Sequence, residues 1–266
     1  MDGNQMRLLF KSGKKQPGIQ AGVPKLDKRL LERILDFAHG VEPLHTPADI
    51  QIRLFAGNGM RAGRQHGAAS TYYLLVYSDD LPHAYMNAGY IAGQILAYLC
   101  FLGIPAVLPH SVPVWAKEEQ GYECLTAVAF GESLPAGRCQ KRADSEELPC
   151  VYHDYHERWS EEVLRYAKKR FPTALRAVRA VHEDGRICIV PKVASGRKTS
   201  LAELEAGIAA ARIMTAAEEL WMDLAFVDAD GSRCLVSVCR RKDLERLCTR
   251  VQEKTAVGRK AVPSYS

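Results

Sequence analysis

One stretch restricts this chain more than any other. From Leu81 to Ala116, 36 residues, it carries no Asp, Glu, Lys or Arg. Such a run belongs either in lipid or at the centre of a protein. Its helical part, "AYMNAGYIAGQILAYLCF", sets Gly89, Gly93 and Ala97 on one ridge, small residues that let a second helix come close. In lipid that ridge would be a dimerisation face. The chain offers a different partner, "SLAELEAGIAAARIMTAAEELWM". That helix carries Glu203, Glu205, Arg212, Glu218 and Glu219, which bars it from a bilayer. Asn87 and Gln94 interrupt the first helix, and there is no second long apolar run. Residues 84–102 therefore read as a helix buried on nearly all sides, and no membrane association is expected.

The two long helices sit in a repeated order of elements. "VPKLDKRLLERILDFAHG" spaces Leu26, Leu30, Leu31, Ile34, Leu35 and Ala38 as a helix, with Gly40 as its stop. "IQIRLF" (50–55) and "STYYLLVYS" (70–78) read as strands; after the long helix comes the strand "YECLTAVAFG" (122–131). The second half runs alike. A helix over 160–171 starts at Ser160, and two strands meet at Asp184-Gly185. A long helix then begins at Ser200, and 233–240 is a strand. Laid one over the other, Gly89, Gly93, Gln94, Ile95 and Leu102 fall on Gly207, Ala211, Arg212, Ile213 and Leu220. The expected fold class is α+β and internally duplicated, a central pair of long buried helices with antiparallel or mixed sheets. The expected divisions are a first half over 1–142, a linker over 143–159, a second half over 160–250 and a tail over 251–266.

Charge and cysteine usage exclude several functions. The net charge of +5, from 36 basic and 31 acidic residues, comes without a dense Lys/Arg tract interleaved with aromatics, so nucleic acid is not an expected partner. The N-terminus lacks a signal-peptide pattern, which points to the cytoplasm. There the eight scattered cysteines would be reduced, with Cys100, Cys188 and Cys234 filling the core. The Gly-rich loop "AGNGMRAGRQHGA" fits neither phosphate-binding pattern. "CVYHDYHERW" spaces Cys150, His153 and His156 by three, with Asp154 and Glu157 beside them. Without a fourth ligand nearby, no metal is expected. No Ser/His/Asp or Cys/His nucleophile set has a diagnostic spacing.

Four short motifs carry a resemblance. A strand, a long Gly/Ala-rich helix, "LGIP", a strand ending in "FG" and then a basic cluster together resemble the nitroreductase family of flavoproteins. Those are normally intertwined homodimers with FMN at the interface, and the internal repeat resembles the branch in which one chain imitates the dimer. The resemblance implies a nitroreductase-like fold and gives "FKSGKK" the role of gripping the flavin phosphate through Lys11, Ser12 and Lys14, with Phe10 where the family has Arg. Without the resemblance, the same residues make a solvated basic tail. "QKRAD" places Lys141 and Arg142 where the family closes on the same phosphate. "LGIPAVLPHSVP" is the loop that lies against the isoalloxazine, its backbone donor to N5 falling near His110 with Pro109 alongside. The prolines would stiffen it. "FPTALRAVRAV" matches the second-half segment "PSxxNxQPW" at Pro172 and Thr173, but has Arg176 for Asn, Val178 for Gln and Ala180 for Trp.

What the resemblance implies is an FMN-dependent oxidoreductase. A reduced nicotinamide, NADH or NADPH, would reduce the flavin, and a small oxidised acceptor such as a nitroaromatic or quinone would reoxidise it. The flavin carries the chemistry, so no catalytic side chain is expected. The altered segment 171–181 opens a second possibility, a flavin- or small-molecule-binding protein that kept the fold and lost turnover. With both halves in one chain, a pseudo-dimeric monomer is expected.

Overall fold

The charge-free run divides into two pieces that cover opposite faces of one sheet. In the computed structural model the described residues are 26–46, 48–56, 72–79, 83–109, 111–113, 116, 118–119, 121–131, 156–183, 185–193, 198–220, 222–229 and 233–239. The first sheet pairs β1 (Ile50–Ala56) with β2 (Tyr72–Ser78) and β2 with β5 (Tyr122–Phe130). The short strands β3 (Ala106–Val107) and β4 (Glu118–Glu119) both join β5. Strand β2 reads "YYLLVYS" with no polar alternation because both its faces are covered. Leu74 and Val76 face the main core with the helix α2 (Ala84–Phe101). Tyr73, Leu75 and Tyr77 face a smaller cluster closed by Val112 and Ala116, from the end of the same charge-free run.

The second sheet has the order β6-β7-β9-β8. It is built from the hairpin β6 (Val178–Glu183) and β7 (Arg186–Pro191) with β8 (Asp223–Ala229) and β9 (Arg233–Cys239). Every described strand pair in both sheets is antiparallel. Helix α1 (Lys28–His39) packs on α2 and β1, while α3 (His156–Arg170) and α5 (Thr199–Glu219) pack on the second sheet. A five-residue helix, α4 (Pro172–Arg176), joins α3 to β6. After a hairpin and a long helix the first half closes with three strands, β3, β4 and β5, and the second with two, β8 and β9; in both, the last strand pairs against the second strand of the hairpin.

The two long helices meet more extensively than any other pair of elements. Their contacts advance together along both, Met86 with Gly207 and Gly93 with Ala211, so the helices run in the same sense. The approach leaves no room for side chains. A Cβ on Gly89 would lie 2.0 Å from the Leu204 carbonyl oxygen, and one on Gly207 would lie 2.0 Å from that of Met86. Leu204 precedes Gly207 by three residues and Met86 precedes Gly89 by three, so each glycine meets the carbonyl one turn before the other. The contact between the two helices is thus locally reciprocal. No helix among the described residues is long and apolar enough to cross a membrane.

Several boundaries differ from expectation, each for a local reason. Asp27 caps α1 by accepting from the Leu30 N–H at 2.8 Å, which leaves Leu26 ahead of the helix. Gly40 ends that helix at φ −84°, without using left-handed geometry. Ser160 is not a cap: α3 starts four residues earlier, within the expected linker, and the buried Ser160 hydroxyl donates to the Gly185 carbonyl. Lys198, not Ser200, precedes α5, with no side-chain cap. Strand β8 lies beyond the expected helix end. Cys188 and Cys234 are buried thiols outside any disulfide, but Cys100 is exposed on the last turn of α2 and disulfide-bonded, contrary to the expected reduced core thiol.

Candidate functional site

The chain leaves α2 through Gly103, whose φ of +72° suits a residue without Cβ. The Gly103 N–H donates to Cys100 O at 3.0 Å and the Ile104 N–H to Leu99 O at 2.9 Å, which ties the turn to the helix end. The next residues return to the sheet: Ala106 pairs with Phe130, Val107 with Ala129, and the Gly131 N–H donates to Pro105 O at 3.1 Å. Leu108 and Pro109 follow, half-buried. The loop "LGIPAVLP" and the "FG" at the end of β5 are thereby fixed in one corner, though more than twenty residues separate them in sequence.

The second-half segment is arranged differently. Pro172 opens α4, where its missing N–H costs nothing. Thr173 and Arg176 are exposed, and the Arg176 carbonyl accepts from Lys192 Nζ at 2.8 Å. Val178 and Ala180 are 2% and 5% exposed, alternate residues of β6 turned into the core. These are the positions at which the family pattern has Gln and Trp, so nothing there reaches outward. Helix α4 packs on α3, α5 and β6.

Beside this segment lies a cluster of charge. The guanidinium carbons of Arg170 and Arg212 each lie 5.3 Å from the centre of the Phe171 ring. Arg170 Nε is 3.6 Å from Glu219, which also accepts from the Tyr166 hydroxyl at 2.7 Å. Burial, and then the charge of Arg170, hold Arg212 below the usual arginine range. At the centre of the helix pair, Tyr90 and Gln94 both point at Met214, Tyr90 Oη at 2.7 Å and Gln94 Nε2 at 3.2 Å from Sδ. The edge of Tyr90 meets the Phe226 ring at 5.4 Å. Burial pushes the Tyr90 phenol well above its ordinary range, so it remains a proton donor.

Of the expected site residues, Pro109, Pro172, Thr173 and Arg176 are described; Lys11, Ser12, Lys14, His110, Lys141 and Arg142 lie outside the described residues, as do Cys150 and His153. The sequence singled out neither Arg170 nor Tyr90. Arg212 was visible as the one charge inside "AAARIM" and as the counterpart of Gln94. Among the described residues no three His, Cys, Asp or Glu side chains form a group able to hold a metal.

Scanned against protein-family models, the chain matches none, and no curated protein sequence matches it. Among solved structures it is similar to one described as "Crystal structure of a putative nitroreductase", from Thermotoga maritima MSB8. The identity is 12%, the match covers 86% of this chain and 93% of that chain, and the TM-score is 0.48.

Proposed function

We propose that the chain binds FMN and acts as an NAD(P)H-dependent oxidoreductase of nitroreductase type on a small oxidised acceptor, such as a nitroaromatic or quinone. The observation that carries this is the corner between α2 and β5, where the post-helix loop and the "FG" strand end are joined through main-chain hydrogen bonds. In the resemblance, one of these segments faces the flavin ring and the other leads into the phosphate anchor. A loop that offers a backbone N–H to a ligand must be rigid, and this one is tied to the helix at Ile104 and to the sheet at Pro105 and Ala106.

When bound, FMN supplies the hydride-accepting and hydride-donating chemistry. The chain's part is to hold it. Lys11, Ser12, Lys14, Lys141 and Arg142 would ground the phosphate, and the backbone around Pro109 and His110 would face the ring. Pro172, Thr173 and the exposed Arg176 would close from the second half. Both halves in one chain imply a monomer that imitates a dimer by duplication.

One observation favours the alternative, a flavin- or small-molecule-binding protein without turnover. The inward turn of Val178 and Ala180 removes two side chains that the family pattern places over the ligand. Flavin titration separates the two. FMN should bind the parent, and Lys14→Ala or Arg142→Ala should weaken it about tenfold to a hundredfold, one charge-assisted hydrogen bond each. Riboflavin, lacking the phosphate, should bind weakly and ignore both changes. FMN binding without NAD(P)H-dependent bleaching selects the alternative. Equal FMN affinity in all three proteins removes both residues from the site.

A further inference from the structure

Outside that corner, the start of α2 holds two histidines and a methionine in a way that packing alone does not require. His45, in the loop between α1 and β1, is 5% exposed. Its ring centre lies 4.6 Å from that of His83, with the planes tilted by 37°. Its Nε2 lies 3.3 Å from the Sδ of Met86, one turn into α2. Two features hold these groups in place. The buried Asn87 spends its amide on the main chain of His45, accepting from His45 N–H at 2.9 Å and donating to His45 O at 3.0 Å. His83, the residue before α2, sits at φ +65°, the one described non-glycine residue at positive φ. Held backbone outliers and dedicated clamps of this kind gather where side chains must be kept in a fixed relation.

We infer that His45, His83 and Met86 form a binding site for a soft monovalent metal ion of the Cu(I) type. With bonds of about 2.0 Å to imidazole nitrogen and about 2.3 Å to sulfur, one ion on Nε2 and Sδ at their present separation would subtend about 100°. Two imidazoles on one ion bring their centroids to about 4.4–5.4 Å, which includes the separation seen here. The donors are two neutral rings and a thioether, with no carboxylate among them, which suits a soft ion of low charge and not calcium, magnesium or manganese. Without the ion, the imidazole can donate its Nε2–H weakly to the thioether. On binding, the lone pair moves to Nε2 and the proton to Nδ1, so the neutral ring gains and loses nothing. His83 is half-buried and gives the ion a route from solvent.

The test is a titration without oxygen. Accessible thiols are first alkylated, so that cysteines do not compete. The protein is then titrated against the coloured bicinchoninate complex of Cu(I). The parent should withdraw one equivalent of Cu(I). Met86→Leu, a substitution of similar volume, and His83→Asn, which keeps a residue tolerant of positive φ, should each weaken binding at least tenfold. Circular dichroism and thermal melts confirm that each variant is folded. His83→Asn, at a half-buried position, keeps the test decisive if Met86→Leu does not fold. No withdrawal by the alkylated parent, or equal withdrawal by a folded variant, would overturn the assignment.

Discussion

Arg212 takes its charge into a place that disfavours it, against Phe171 and near Arg170. Its folded pKa is lowered, so the folded state bears a cost for the charged form. Arginine stays charged at all ordinary pH, so that cost does not vary with pH, and substitution is the way to see it. Arg212→Met should leave the melting temperature unchanged or raise it. Arg170→Met should cost about 1–3 kcal/mol, because it strips the counter-charge from Glu219, itself only 16% exposed. Equal destabilisation by both, in denaturant melts, would mean that Arg212 is favourably partnered. Burial also pushes the Cys124 thiol up to about 12, against an ordinary value of 9.0. A raised pKa favours the protonated form in the fold, so this contribution is intact below about pH 9 and is lost as pH rises towards 12. Cys124 should therefore resist alkylation in the native protein at pH 8 and react once the protein is unfolded, as peptide mass mapping would show. Beyond the lone charge of Arg212, none of this was legible in sequence. Arg170 looks like any basic residue in the last turn of a helix, and its meaning comes from Glu219, which meets it from α5.

Among the elements, the crossing of α2 and α5 makes the firmest demand. The sequence marked Gly89, Gly93 and Ala97 as the contact ridge, and a Cβ on Gly93 would meet the Ala211 Cβ at 2.6 Å. The tighter positions are Gly89 and Gly207, whose obstacles are backbone carbonyls that cannot turn aside. Gly207→Ala should destabilise by about 1–3 kcal/mol or more, and by more than Ala gains as a helix former. Gly93→Ala should cost less than Gly207→Ala. The reverse order in urea melts would contradict the packing described here. Apolar spacing and small-residue ridges made α1, α2, α5, β2, β5 and the β6–β7 hairpin legible, because each states its own periodicity. Helix starts were not. Ser160 and Ser200 are cap-type residues, but a cap is decided by which backbone N–H groups are left over, and that depends on where the preceding segment turns in. Strand β8 was missed because "DLAFVDA" offers little alternation, and its place is set by pairing along β9.

For the whole molecule, the pairing of α2 with α5 inside one chain satisfies the face that would otherwise recruit a second copy. The protein should sediment as a monomer at micromolar concentration, and Gly207→Ala should not convert it to a discrete dimer. An obligate dimer with the long helices paired between chains would contradict this. The same crossing also governs how the chain must come together in time. Its contacts join segments far apart in sequence, which makes this a slow contact to form. Roughly a hundred residues separate the end of α2 from Gly207. At about 5–20 residues per second, a newly made α2 waits about 5–20 s on the ribosome for its partner. During that interval the face of α2 that will meet α5 has no cover, so the growing chain is most vulnerable to sticking and most in need of a chaperone in the middle of its synthesis.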